Sequence, residues 1–250
     1  MHKLYVVQSS HPCEAVKRAL ELKAMPYRTV ELLIPTHAPI MRVLFGERTV
    51  PALKLAGGER VQGSRAILRR LDELVRDPPL LPAGGAAREA VLAAESWGEE
   101  TLQPLARRAV WSALRHRPAA ILSFQEASKL PRLPAPVVRA VAPAVTRIET
   151  AMNRAQDDAV RADLAALPAH LDRVDAWIAD GVLGGASPNA GDLQIASSLR
   201  LLMTLGDVRP LLAGRPGEAL ALRLFGDFPG DVPAGAFPAG WLPERAPAAA

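Results

Sequence analysis

The chain has 250 residues, enough for one large domain or two small ones. It is 49% hydrophobic, which excludes wholesale disorder, and no uncharged apolar stretch approaches the ~18 residues that a membrane span needs. The net charge is +4, the basic residues are scattered apart from Arg107-Arg108 and Arg115-His116-Arg117, and aromatics make up 4%, a poor match to the basic stripes and stacking rings of a nucleic-acid surface.

The first 75 residues alternate strand and helix patterns. Leu4–Gln8 is a short Tyr/Val-rich run that predicts a strand. The opening turns polar after four apolar residues, too soon for a secretory leader, so a cytoplasmic location is expected. His11-Pro12 opens a helix whose face is Val16, Ala19, Leu20 and the stem of Lys23, with Pro12 where a missing N–H costs nothing. Tyr27–Ile34 reads as a second strand and Pro39–Phe45 as a short, irregular helix. Val50–Leu55 and Glu59–Gln62 flank Ala56-Gly57-Gly58 and form a hairpin. Ser64 then caps a helix to about Val75 that buries Ile67, Leu68, Leu71 and Leu74.

Residues 76–86 form a Pro/Gly-rich linker, after which strand signals vanish. Apolar residues at helical spacing predict a helix over Ala87–His116, bent at Pro104. Further helices are expected at Val137–Met152, Asp158–Leu164, Ala169–Asp180, Asn189–Leu205 and Glu218–Phe225. The predicted units are therefore an α/β domain over 1–75, the linker, an all-α domain over 87–225 and an irregular tail over 226–250.

Three short segments carry chemistry. Ser9-Ser10-His11-Pro12-Cys13 sits at a strand-to-helix turn, where free N–H groups and a partial positive charge stabilise an anion, thiolates included. Cys13, the single cysteine, excludes an internal disulfide framework, a multi-cysteine metal site and a two-thiol redox cycle. Thr49-Val50-Pro51-Ala52-Leu53 places a proline at a strand start, and a cis Val50–Pro51 bond would leave the Val50 backbone free to pair with a peptide-like ligand. An edge-strand proline is the plainer alternative. Gly63-Ser64-Arg65-Ala66-Ile67 offers N–H groups at a helix start as a carboxylate nest, or simply a helix cap.

Taken together, in this order within a β-α-β-α-β-β-α unit, these segments resemble the glutathione transferase superfamily of cytosolic type. Ser187-Pro188-Asn189-Ala190-Gly191-Asp192-Leu193 is similar to that family's capping motif ahead of a buried helix, with Asn189 and Asp192 as fold determinants. The resemblance implies a thioredoxin-like N-terminal domain plus an all-helical C-terminal domain, a homodimer, and glutathione as co-substrate. It implies that Ser10 contacts the glutathione sulfur, that Val50 beside Pro51 pairs with the cysteinyl backbone, and that Ser64 with the Arg65 N–H holds the γ-glutamyl carboxylate. Where the family carries an acidic or amide side chain before that serine, this chain has Gly63. Gln62 would replace it only by turning inward.

The remaining candidates stay open at this level. His11 is a second contact to the sulfur, a general base, or a solvated loop residue. Cys13 stands at the second position of a Ser10-x-x-Cys13 pattern, as a nucleophile or as a packing residue. Arg48 or Arg42 would meet the glycyl carboxylate, and Trp97, Glu100, Trp111, Phe237 and Trp241 would border a hydrophobic pocket or serve as core and dimer contacts. The expected activity is transfer of the glutathione thiolate to a hydrophobic electrophile, with no metal, no membrane and no nucleic acid involved. The alternatives are a glutathione-dependent thiol transferase using Cys13 and a non-catalytic binding module on the same fold.

Overall fold

In a computed structural model of the chain, residues 1–126, 128–131 and 133–243 are described. Strand β1 (His2–Val6) pairs in parallel with β2 (Tyr27–Glu31), and β3 (Ala52–Lys54) runs antiparallel to both β1 and β4 (Arg60–Gln62), giving the order β2-β1-β3-β4. Leu4 stands opposite Leu53 in that register, and both are fully buried. Helices α1 (His11–Leu22) and α3 (Ser64–Leu74) pack together, and α2 (His37–Phe45) touches β4. The buried face of α1 is Cys13, Ala15, Val16, Ala19 and Leu20, the 3-4 spacing that makes a helix amphipathic.

The second strand stops at Glu31 rather than Ile34, and the Leu32 N–H still bonds the Val6 carbonyl at 2.8 Å. Leu74, expected in the core, is 43% exposed because α3 ends there and Val75 turns extended. Lys23 does more than lend its stem. Its buried ammonium donates to Asp72 at 2.7 Å and to the carbonyls of Val75 and Pro78 at 2.6 Å, fastening the end of α3 to the segment that follows.

The Ala87–His116 helix is a continuous helical path in three parts: α4 (Gly85–Trp97), a π-helical turn (Gly98–Leu102) and α5 (Gln103–His116). Pro104 has no N–H to give the preceding turn, and the backbone widens just ahead of it. A 3₁₀ segment, Pro118–Gln125, was not anticipated. Helix α6 (Ala135–Met152) follows, and then α7 (Asp157–Ala179), one helix where two were expected, with Pro168 inside it.

Helix α8 (Ala190–Leu202) is buried at every residue except Arg200 and packs against α1, α3, α4 and α5. Its start is the capping box read from the sequence. Asp192 N–H donates to Asn189 Oδ1 at 3.0 Å, while Asp192 accepts from the N–H groups of Asn189 at 2.9 Å and Gly184 at 2.7 Å. Helices α9 (Arg209–Leu212) and α10 (Pro216–Leu224) complete the set.

The tail is irregular but pinned. Val232 bridges Leu205, and Asp207 accepts from the N–H groups of Gly235, Ala236 and Phe237 at 2.6–3.1 Å. Gly230, at φ 118°, lies so close to the Phe124 ring that a Cβ has no room. Residues 244–250 of the expected tail lie outside the described residues. Among the described residues no helix is long and apolar enough to cross a membrane, and no cluster of three His, Cys, Asp or Glu could hold a metal ion.

Candidate active site

The chain leaves β1 through Val7-Gln8-Ser9-Ser10 and enters α1. Ser9 sits in the left-handed region at φ 61°, held there by its hydroxyl, which donates to the Phe124 carbonyl of the 3₁₀ segment at 2.8 Å. The Ser10 carbonyl accepts from the N–H groups of Cys13 and Glu14 at 2.8 and 3.0 Å and starts the helix. The Ser10 side chain makes no capping bond.

At this turn a cavity of about 150 Å³ opens. Ser10, His11, Pro12, Thr49 and Val50 line one side. Arg107, Val110, Trp111 and Leu114 of α5, with Ile121 and Phe124, line the other, and Glu149 and Asn153 close it at the end of α6. The Val50–Pro51 peptide is cis, and the Pro51 carbonyl accepts from the Gly63 N–H at 3.0 Å. The structure thus gathers Ser10, His11 and Val50 on one cavity. Gln62, Gly63, Ser64, Arg65 and Cys13 are not part of its lining.

Several expectations are corrected. His11 is not a solvated loop residue. It is 2% exposed, its Nε2 has no hydrogen-bond partner, and burial, seconded by the Arg107 charge, holds its pKa well below the ordinary histidine value against the opposing Gln103 backbone. Cys13 is fully buried. Desolvation pushes its thiol up to about 12, a setting that fits the packing reading better than the nucleophile reading.

Gln62 does not turn inward. Its Nε2 donates to the carbonyls of Glu47 and Thr49 at 2.9 and 2.8 Å, and its Oε1 accepts from the Glu47 N–H at 3.2 Å. It therefore braces the loop that presents Val50. Gly63 adopts φ 91°, where a side chain is strained although a Cβ there meets nothing within 4 Å.

The Ser64 hydroxyl is not free for a ligand. It donates to Gln194 Oε1 at 3.2 Å, accepts from Gln194 Nε2 at 3.1 Å and lies 3.5 Å from Gln103 Nε2, inside a buried network that joins α3 to α5 and α8. The N–H groups of Ser64 and Arg65 still lack intrahelical acceptors by helix geometry. The Arg65 side chain is held by Glu99 at 2.5 Å and Glu100 at 2.8 Å.

The aromatic candidates divide. Trp111 lines the cavity, whereas Trp97 packs edge-on against Trp177 at 5.3 Å and Phe237 stacks with Trp241 at 6.3 Å, away from it. Glu100 is occupied by Arg65. Arg48 donates to the Met152 carbonyl at 2.8 Å, and Arg42 is exposed. Sequence reasoning missed Arg107, Glu149, Asn153 and His37 as cavity residues. Arg107 alone left a trace, as half of an Arg107-Arg108 pair.

Residues 4–79 match the family described as the glutathione S-transferase N-terminal domain. No curated protein matches the sequence. Among solved structures, a glutathione S-transferase from Rhodospirillum rubrum F11 is similar at 20% identity and TM-score 0.56, over 90% of this chain and 86% of that one. A glutathione S-transferase from Xanthobacter autotrophicus Py2 is similar at 19% identity and TM-score 0.55, over 93% and 97%. A maleylacetoacetate isomerase from Anaeromyxobacter dehalogenans 2CP-1 is similar at 18% identity and TM-score 0.55, over 91% and 90%. At these identities the likeness establishes the fold alone, a thioredoxin-like domain followed by a helical one, and the family match covers the N-terminal domain, residues 4–79.

Proposed function

We propose that the chain is a glutathione-dependent enzyme that ionises the glutathione thiol at Ser10 and directs the thiolate onto an electrophile held against α5 and the 3₁₀ segment. The observation that carries this reading is the meeting of Ser10, His11 and Val50 on one cavity at the N-terminus of α1. A thiol begins near pKa ~8.5, so only a few per cent is ionised at pH 7. Lowering it by about two units takes roughly 2.7 kcal/mol of differential stabilisation. One charge-assisted hydrogen bond from the Ser10 hydroxyl, with the partial charge of the helix terminus, is of that order.

Burial holds His11 neutral and makes it a weak base, so the thiol proton leaves to solvent, while the unpartnered Nε2 serves as a hydrogen-bond acceptor for the bound thiol. Val50 pairs with the cysteinyl backbone, beside Pro51. The first N–H groups of α3, at Ser64 and Arg65, take the γ-glutamyl carboxylate, a backbone role that the engaged Ser64 hydroxyl leaves intact. The sulfur lone pair then forms the new C–S bond as the leaving group departs with its own electron pair. Addition across an activated double bond begins with the same thiolate, so both reaction types belong in the assay panel. The Anaeromyxobacter isomerase was crystallised with dicarboxyethyl glutathione in its active site, which supports a glutathione-based reading of this fold.

Titration calorimetry with reduced glutathione tests the site. Binding with a Kd roughly in the micromolar to millimolar range supports it. Ser10→Ala then raises the bound-thiol pKa by about one unit and lowers turnover at pH 7. No heat at several millimolar removes the enzyme reading and leaves a binding module on a transferase fold.

A further inference from the structure

The cavity that carries Ser10 and His11 has a charge imbalance that a glutathione thiol does not account for. Arg107 lines it and donates through Nη2 to Gln103 Oε1 one turn earlier, at 2.9 Å. Among the described residues no carboxylate lies within 4.0 Å of its guanidinium. Its neighbour Arg108 shows the contrast, bound by both oxygens of Asp163 at 2.6 and 2.7 Å.

The other groups facing Arg107 do not neutralise it. His11 and His37 line the same cavity, and burial keeps both below the ordinary histidine pKa. Arg48, close enough to repel Arg107, is bonded to a carbonyl and adds to the positive field. Glu149, 3% exposed, is the carboxyl that Arg107 feels, yet its Oε1 has no partner, while its Oε2 accepts from Asn153 Nδ2 at 3.0 Å. A half-buried cation without a close counter-ion and an orphaned, buried carboxyl oxygen on one small cavity are costly unless a ligand completes them.

We infer that the electrophile bears a carboxylate, which Arg107 binds through its remaining N–H groups beside Glu149 and Asn153, while Val110, Trp111 and Phe124 take the apolar body. Burial raises the Glu149 pKa, the direction that eases a second carboxylate beside it. The inference rests on the glutathione reading above and adds the substrate class to it.

The test measures binding, so it does not depend on finding the natural substrate. The full chain is titrated with reduced glutathione, S-benzylglutathione and S-(4-carboxybenzyl)glutathione. The added carboxylate is expected to tighten binding about tenfold over S-benzylglutathione, as one charge-assisted hydrogen bond does. Arg107→Met abolishes that gain, and Arg107→Lys, a milder change that keeps the charge, retains part of it. Binding of the first two ligands with no gain from the carboxylate overturns the inference alone. A gain that survives Arg107→Met overturns it too. Equal weakening of glutathione itself by Arg107→Met assigns the guanidinium to one of glutathione's own carboxylates, which also overturns it. No binding of any of the three defeats the glutathione reading and this inference together.

Discussion

Cys13 offers the sharpest way to separate transferase chemistry from thiol exchange. It is fully buried, with its thiol pushed up to about 12. At pH 8 an ordinary cysteine of pKa ~8.5 is about one-quarter thiolate, whereas a group titrating near 12 is about one part in ten thousand. The ratio is roughly three orders of magnitude before any steric shielding is counted. Reaction with a thiol-specific disulfide reagent, followed by absorbance, should therefore modify one thiol per chain quickly in denaturant and at least about a thousandfold more slowly in native buffer. Cys13→Ala removes one sulfur from the core, at a cost of about 1–2 kcal/mol, and should keep glutathione-dependent turnover. Native labelling within about tenfold of the denatured rate, or loss of turnover in Cys13→Ala, would refute the assignment and restore the thiol-transferase alternative.

Three more predictions follow from the geometry. Asp192→Ala strips acceptors from the part-buried N–H groups of Asn189 and Gly184, and at roughly 1–3 kcal/mol per orphaned group should destabilise the fold by about 3 kcal/mol in urea denaturation; a loss below about 1 kcal/mol contradicts a capping box that matters to the fold. His11 binds its proton less readily folded than unfolded, so its contribution is present above the unfolded pKa of about 6.5 and is lost as pH falls below it, with a slope of up to about 1.4 kcal/mol per pH unit. Urea curves at three pH values between about 5 and 7 should show His11→Gln flattening that slope, and parallel curves for the two proteins count against a buried neutral imidazole. Gln62→Ala releases the Glu47–Thr49 loop and, at about 1 kcal/mol, should weaken glutathione binding about fivefold in calorimetry; an unchanged Kd removes Gln62 from the positioning of Val50.

The α/β half was legible because short-range rules decide it. Period-2 and period-3.6 patterns, the Gly57-Gly58 turn and Pro12 at a helix start each act within a few residues. The Asn189–Asp192 box was legible for the same reason. Pro168 misled because a proline inside a long, well-packed helix loses one hydrogen bond without ending the helix. The Pro118–Gln125 segment carries no helical periodicity, so its role in walling the cavity was invisible. For the site, Ser10 and Val50 were found through local motifs. His37 lies 27 positions beyond Ser10, and Arg107, Glu149 and Asn153 lie 97 to 143 beyond it and meet it only through packing. Ser64 was misjudged in the same way, since its hydroxyl partner Gln194 lies 130 residues along the chain.

The Ser9–Phe124–Gly230 chain of contacts has a consequence for synthesis and for engineering. A ribosome that has released residues 4–79 has delivered the whole N-terminal domain match, yet none of the opposite wall of the cavity. Ser9 finds its acceptor only when residue 124 emerges, and Phe124 is backed only when residue 230 arrives. A chimera that grafts this N-terminal unit onto another helical half would carry Ser10 but would not inherit its setting. The later segments are as much the template of the Ser10 turn as the turn's own residues.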